Sequence, residues 1–172
     1  MCLSLEDFAA ECHDTLKAKP GKAGRQQLCA LVRQVLRDPS FVATYIPAET
    51  PERQVLYEDA ELGFAIVAHA YHGPRSSRPH DHGPGWAIYG QVDGETIMTD
   101  WELVEAPTDT APGKVRHLRD YTLTPGMAML YEPGALHSPL REGPTRLLRI
   151  EGINLDRVKR QAYETVEFCT AD

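Results

Sequence analysis

The chain has 172 residues, of which 42% are hydrophobic and 25% are charged, and its formal net charge at pH 7 is −7. This length fits one domain with its own hydrophobic core. The acidic balance argues against nucleic-acid and anionic-membrane partners, because both need a basic face. No apolar run approaches the roughly 20 residues of a membrane-spanning helix, so we expect no membrane partner either.

The N-terminal part of the chain is predicted to be helical. Its first seven residues turn acidic at once and show no basic stretch followed by an apolar one, so we expect a cytoplasmic protein. Ser4 and Asp7 form a helix-capping pattern, and an apolar stripe follows them as far as Pro20-Gly21. A second stripe runs over Leu28–Leu36 and is stopped by Asp38-Pro39. Both helices are expected to lie against one face of a larger unit.

From Arg53 onward, short β-rich runs alternate with glycine and proline. Val92–Glu95 predicts a tight hairpin, and further turns are expected at Thr124–Gly126 and Glu132–Gly134. At least seven strands at this short spacing predict a sandwich, a barrel or a jelly roll. The predicted strands are Gln54–Tyr57, Leu62–Tyr71, Trp86–Tyr89, Glu95–Val104, Lys114–Leu123, Ala128–Tyr131 and Arg146–Ile153.

Three histidines form the most informative pattern in the chain. On a strand, residues i and i+2 point to the same side, so His80 and His82 aim both imidazoles at one point while Asp81 faces away. Farther along, the turn at Glu132–Gly134 delivers His137 at the start of another strand. Neutral imidazole is a common ligand of iron, zinc and copper, and we expect these three histidines to bind one metal ion. The remaining histidines, His13, His69, His72 and His117, are interpreted as structural or exposed.

The segment from His80 to Glu95 resembles the first sequence motif of the cupin superfamily, and Gly126–His137 resembles the second. In that family a glutamate after the His-x-His pair is a fourth metal ligand, whereas here its position falls on Trp86 or Ala87. The resemblance implies a mainly β fold, a double-stranded β-helix (cupin jelly-roll barrel) preceded by N-terminal α-helices. We interpret residues 1–172 as a single cupin domain, with an N-terminal helical segment (1–45), a β-barrel (52–155) and a C-terminal tail (156–172).

A cupin site with three histidines and no glutamate resembles that of the thiol dioxygenases, the cysteine dioxygenase and 3-mercaptopropionate dioxygenase group. The chain also resembles uncharacterised predicted metal-dependent enzymes of the double-stranded β-helix type. The first resemblance implies a mononuclear non-heme Fe²⁺ site at which O₂ oxidises a small organic acid, such as a thiol. It also implies an arginine on an early strand that binds the substrate carboxylate, and Arg53 is the nearest match.

The chain departs from the thiol dioxygenases on the strand after the third histidine. Their Ser-x-His-x-Tyr element is replaced here by Leu147, Arg149 and Glu151. Either the substrate differs or another hydroxyl, that of Tyr89 or Tyr131, takes over, and Tyr131 is our candidate for that catalytic role. Arg149 is a second candidate for the substrate carboxylate.

Each of the predicted substrate residues also has a structural interpretation. Arg53 follows Glu52, as surface arginines often follow acidic residues, and Arg149 is two residues from Glu151, so that it can form an ion pair within the strand. Trp86 and Tyr89 are expected to wall the substrate pocket, although aromatic side chains also simply fill barrels.

Other metals and other activities stay open from the sequence. Three histidines and a water form a known catalytic zinc site, and Ni²⁺ and Mn²⁺ are further alternatives to Fe²⁺. A second hypothesis is a metal-dependent isomerase, lyase or non-thiol dioxygenase, because cupins host many reactions. A third is a non-catalytic cupin that binds a small molecule. Barrels of this type often form homodimers, and a homodimer is an open expectation here.

Overall fold

The computed structural model describes residues 3–166, so the predicted tail lies within the described residues only as far as Val166. Three helices come first: α1 (Leu5–Ala18), α2 (Lys22–Val35) and α3 (Pro39–Tyr45). None of the helices within residues 3–166 combines the length and the apolar character needed to cross a membrane.

The capping pattern at the start of α1 is confirmed, whereas α3 was not predicted. The Ser4 hydroxyl accepts a hydrogen bond from the backbone N–H of Asp7 at 3.0 Å. Asp38-Pro39 ends the second apolar stripe, but the Asp38 carboxylate also accepts the N–H groups of Ser40 and Phe41 and so caps a new helix. Proline fits this first turn because its missing N–H has no partner there in any helix.

The strands after α3 form two five-stranded sheets with the orders β1-β2-β9-β4-β7 and β10-β6-β5-β8-β3. Strands β2 to β9 pair in nested antiparallel fashion, β2 with β9, β3 with β8, β4 with β7 and β5 with β6, which is the jelly-roll arrangement. The predicted fold class is therefore confirmed. The strands are β1 (Gln54–Glu58), β2 (Ala65–Tyr71), β3 (Arg75–Ser76), β4 (Ala87–Asp93), β5 (Thr96–Glu105), β6 (Gly113–Leu123), β7 (Ala128–Tyr131), β8 (His137–Arg141), β9 (Thr145–Glu151) and β10 (Tyr163–Thr165).

The prediction that a strand begins at Leu62 was wrong. The Asp59 carboxylate accepts the backbone N–H groups of Glu61 and Leu62, and Gly63 has a φ of +74°. These contacts close a turn, and β2 begins only at Ala65. Strands β3 and β10, of two and three residues, are too short to leave a periodic signal in the sequence.

Alternation along the first sheet separates its two faces. Ile88 on β4 and Leu148 and Ile150 on β9 pack against the helices, in the larger of two hydrophobic clusters. Ala87 and Tyr89 face the barrel interior, in the smaller cluster. The barrel interior therefore receives the odd-numbered residues of both strands, and the helices cover the even-numbered ones.

Candidate metal centre

The imidazoles of His80, His82 and His137 lie together inside the barrel, with one ring nitrogen of each within 4.8 Å of the others. All three residues are buried, at 8%, 1% and 0% exposure. The ring centroids of His80 and His137 are 4.6 Å apart, and those of His82 and His137 are 4.8 Å apart. This arrangement brings together the three ligands predicted from the sequence.

A loop rather than a regular strand carries the first two histidines. His80 forms an isolated β-bridge with His137, and each residue donates its backbone N–H to the other's carbonyl at 3.0 Å. His82 lies two residues beyond this bridge, and its ring nitrogen joins those of His80 and His137. Asp81 accepts hydrogen bonds from Tyr163 Oη at 2.9 Å and from Gly83 N, and it is not one of the clustered ligands.

Backbone carbonyls set the orientation of two of the three rings. His80 Nδ1 donates to the carbonyl of Arg78 and His137 Nδ1 donates to that of Ala135, each at 2.9 Å. With the proton on Nδ1, each Nε2 keeps a free lone pair. His82 Nδ1 is buried and has no hydrogen-bond partner within residues 3–166.

The three rings are neutral at physiological pH. Burial lowers the pKa of His80 to about 4. Burial, reinforced by the neighbouring histidines, also lowers the pKa of His82 and of His137 well below the ordinary value. Three converging neutral imidazoles fit a metal ion, because metals bind the deprotonated ring.

Two tyrosines adjoin the histidines, in different ways. Tyr89 Oη lies 3.3 Å from His82 Nε2 and 3.4 Å from His137 Nε2, so this hydroxyl is at the point where the ligand atoms converge. The Tyr131 ring stacks on His137 with centroids 4.0 Å apart. Tyr131 Oη is 2.5 Å from Tyr121 Oη, which in turn donates to Asp100. Burial raises the pKa of both Tyr89 and Tyr131, so both hydroxyls stay protonated.

Arg149 lies inside the barrel beside this cluster and is only 6% exposed. Its guanidinium lies over the Tyr89 ring, with Cζ 4.4 Å from the ring centroid. Nη1 is 3.4 Å from His69 Nε2, and Nη2 is 3.3 Å from a Glu151 oxygen. Nε and Nη2, which form one edge of the planar group, have no hydrogen-bond partner within residues 3–166. That edge is the one that binds a carboxylate with two parallel hydrogen bonds.

Arg53 is already engaged by side chains of the chain itself. Its Nη1 and Nη2 bind the two oxygens of Glu151 at 2.8 and 3.0 Å. Nη2 also donates to Asn154, and Nε donates to Asp156. Every nitrogen of this guanidinium therefore has an acceptor, which leaves Arg53 no free edge for a substrate.

The structure places Trp86 away from the histidines. Its ring packs among the residues that the helices cover and lies against Gly152, where any Cβ would collide with it. Trp86 precedes Ala87 on β4 and therefore shares the helix-facing side of Ile88 rather than the interior side of Tyr89.

A cavity of about 170 Å³ adjoins this cluster at His80. Its walls include His80, Tyr89 and Arg149, which the sequence predicted, and also residues that it missed. Arg141 is the most informative of these, because it lies on β8 at four positions after His137. Side chains alternate between the two faces of a strand, so a residue four positions after an inward-facing histidine also faces inward. The sequence therefore contained the information needed to predict this residue. The other missed residues in the wall are Tyr71, Arg160, Glu52, Ser76, Ser77 and Pro139.

Comparisons with known proteins add descriptive likenesses only. No protein-family model and no curated protein matches the chain. Among solved structures, a cupin superfamily protein from Desulfitobacterium hafniense is similar at 15% identity and a TM-score of 0.45, over 62% of this chain and 84% of its own.

Two other solved structures show the same degree of similarity. An uncharacterized conserved protein with a double-stranded β-helix domain from Klebsiella pneumoniae has 16% identity and a TM-score of 0.45, over 72% of this chain and 95% of its own. KdgF from Halomonas sp. has 17% identity and a TM-score of 0.42, over 58% of this chain and 74% of its own. None of the three is named as a thiol dioxygenase. The fold assignment rests on the strand pairing described above.

Proposed function

We propose that the protein is a mononuclear non-heme iron dioxygenase that oxidises a small organic acid, such as a thiol, with O₂. The observation that carries this proposal is the composition of the ligand set. Three neutral imidazoles converge within 4.8 Å, and no carboxylate of the described residues joins them. A divalent ion held there keeps its full positive charge and favours an anionic substrate.

The metal would supply one chemical capacity. Bound by His80, His82 and His137, Fe²⁺ would provide the one-electron chemistry through which O₂ reacts with a closed-shell donor. Zinc fits the same ligands but has no redox chemistry, which is why the proposal names iron.

The chain's own side chains would bind and orient the substrate. The substrate carboxylate would bind Arg149 chiefly through Nε, because Nη2 already lies within ion-pair distance of Glu151, and the stacked Tyr89 ring holds the guanidinium in place. The Tyr89 hydroxyl would donate a hydrogen bond beside the ligand nitrogens, because its raised pKa keeps it protonated. Tyr131 would keep the His137 ring in orientation by stacking, since its own hydroxyl is bound to Tyr121.

For a thiol substrate the reaction balances without another reductant. The O–O bond of O₂ breaks as the sulfur of RS⁻ forms two S–O bonds with its two atoms, and the product is RSO₂⁻. Sulfur loses four electrons, and the two oxygen atoms gain them. The small cavity, about 170 Å³, fits a substrate below the roughly 300 Å³ at which pockets for drug-sized ligands begin.

The test is oxygen consumption by Fe²⁺-loaded protein. Protein loaded anaerobically is mixed with air-saturated buffer and a panel of mercapto-acids that carry one or two carboxylates. We expect the wild-type protein and the His117→Ala variant to take up O₂ with one of these acids. The double variant His82→Ala, His117→Ala should take up none. The single variant His117→Ala serves as the control, because His117 is exposed and pairs with Asp120. No uptake with any mercapto-acid would eliminate the thiol version.

A second candidate is a metal-dependent enzyme of another reaction class, an isomerase, a lyase or a non-thiol dioxygenase. It is favoured by β9, whose inward positions hold Leu147, Arg149 and Glu151 instead of the Ser-x-His-x-Tyr element. Zinc or nickel as the metal that supports turnover would support this candidate. Ligand binding that is independent of metal and survives His82→Ala would instead indicate a non-catalytic binding protein.

A further inference from the structure

Arg141 lines the cavity as a buried cation without a counter-ion. The residue is 3% exposed, and its Nε has no hydrogen-bond partner within residues 3–166. No carboxylate of the described residues pairs with it, and its contact is the Tyr71 ring, whose centroid lies 4.5 Å from Cζ. Burial lowers the pKa of Arg141, as expected for a charge that lacks compensation. A buried unpaired charge is costly to a fold, so its retention points to a ligand.

The charges around the cavity do not balance within the described residues. Glu52 is taken by Arg75 at the rim, with an N–O distance of 2.7 Å. Both carboxylate oxygens of Glu151 accept hydrogen bonds from Arg53, and one of them lies 3.3 Å from Arg149 Nη2. Two arginines of the cavity wall, Arg141 and Arg160, are left without a carboxylate among residues 3–166.

The metal centre increases this positive excess. Its three ligands are neutral, so a divalent ion would add two further positive charges next to the same cavity. A ligand with a single negative charge would leave most of this positive charge unpaired and buried. Unpaired charges have their highest free-energy cost in a buried environment.

We infer that the cavity binds a small dicarboxylate, with one carboxylate at Arg149 and the other at Arg141. Each guanidinium is stacked on a tyrosine, Arg149 on Tyr89 and Arg141 on Tyr71, which fixes its plane and leaves its edges for planar carboxylates. This inference deepens the proposed function by naming the substrate class of the same site, but the binding itself needs no turnover.

Titration calorimetry on the full-length protein loaded with Zn²⁺ tests the ligand class without any oxygen chemistry. Succinate is compared with butyrate, which replaces one carboxylate by a methyl group, and with inorganic phosphate. We expect succinate to bind at least about tenfold more tightly than butyrate, because one charge-assisted pair is lost. Equal affinities, or phosphate as the tightest ligand, would overturn the inference.

Variants of Arg141 separate a binding role from a structural one. Arg141→Met is expected to weaken succinate binding about 10- to 100-fold and to change butyrate binding much less. It should also raise the Tm of the ligand-free protein by about 2–4 °C, because it removes an unpaired buried charge. Arg141→Lys keeps the charge without the planar fork and should bind succinate with intermediate affinity.

The matched control is Arg116→Gln, which changes the same charge at an ion pair with Glu102 on the β5–β6 hairpin. It should bind succinate as the wild type does. Unchanged succinate affinity in Arg141→Met, or a lower Tm with equal losses for all ligands, would refute the assignment. Absence of O₂ uptake by the Fe²⁺ form would refute the dioxygenase alone and leave the calorimetric result standing.

Discussion

The guanidinium of Arg149 stacks on the ring of Tyr89, whose hydroxyl lies 3.3 Å from the Nε2 of a predicted metal ligand, His82. The two side chains come from neighbouring strands and are directly paired in the sheet. A substrate carboxylate on Arg149 would therefore lie close to the metal centre.

The Tyr89 hydroxyl competes with a metal for the ligand nitrogens. We expect Tyr89→Phe to keep one metal ion per chain and to raise zinc affinity a few-fold, because about 1 kcal/mol of hydrogen bonding to the free imidazoles is lost. Competition with a chelator of known affinity measures this change. A variant that no longer binds zinc would show that the hydroxyl holds the rings in place instead.

Removal of a single histidine ligand should abolish stable metal binding. For His80→Ala, His82→Ala and His137→Ala, we expect less than a tenth of the wild-type metal content after dialysis against a weak chelator, because three ligands are the minimum of a catalytic-type site. Elemental analysis of untagged protein gives the content. The control, His117→Ala, should retain the wild-type amount, and full retention in any ligand variant would remove that residue from the site.

Glu151 makes the stability of the fold sensitive to acid. Burial by itself raises the pKa of this carboxyl, but Arg149 and Arg53 outweigh burial, and the pKa lies below the ordinary value of 4.5. The ionised carboxylate therefore stabilises the fold above about pH 4.5, and this stabilisation is lost as the pH falls through the folded-state pKa. Urea unfolding at pH 7 and at a series of pH values below 4.5 should show the progressive loss.

Replacement of Glu151 tests the same ion-pair group directly. Glu151→Gln should cost about 3–5 kcal/mol at pH 7, because it leaves two arginines without their shared carboxylate. The difference from the wild type should shrink on acidification. Glu102→Gln, at an exposed pair with Arg116, should cost at most about 1 kcal/mol. Equal costs for the two variants would contradict the central role of Glu151.

Gly90 lets α2 approach the first sheet closely. A Cβ at this position would lie 2.7 Å from Val32 Cγ1 and 3.1 Å from the carbonyl oxygen of Leu148. Gly90→Ala should therefore destabilise the protein by about 1–3 kcal/mol, as overpacking does in a filled core. Gly73→Ala, where no atom lies within 4 Å of the new Cβ, is the matched control. Chemical denaturation compares the two, and a neutral Gly90→Ala would argue against this contact.

The sequence by itself determined the type of fold and the three histidines of the candidate metal centre. His80 and His82 are related by two residues, which places both side chains on one side of the chain, and His137 follows a Pro-Gly turn at the start of another strand. The spacing of the strands and turns indicated a sandwich, a barrel or a jelly roll, and the resemblance to the cupin motifs implied the jelly roll, although β3 and β10 were too short to be recognised. These features are local, and local patterns can be interpreted without the rest of the chain.

Only the tertiary structure decided which arginines are available to a ligand. Arg53 is bound by Glu151, which follows it 98 residues later, and no pattern around Arg53 reports that partner. Arg141, by contrast, has no counter-ion among the described residues, because the strand pairing puts no carboxylate beside it. An ion pair depends on which strands meet and in which register. Tertiary structure therefore decides which ion-pair partner a charged side chain has. The alternation along a strand already decides which face of the sheet that side chain lies on.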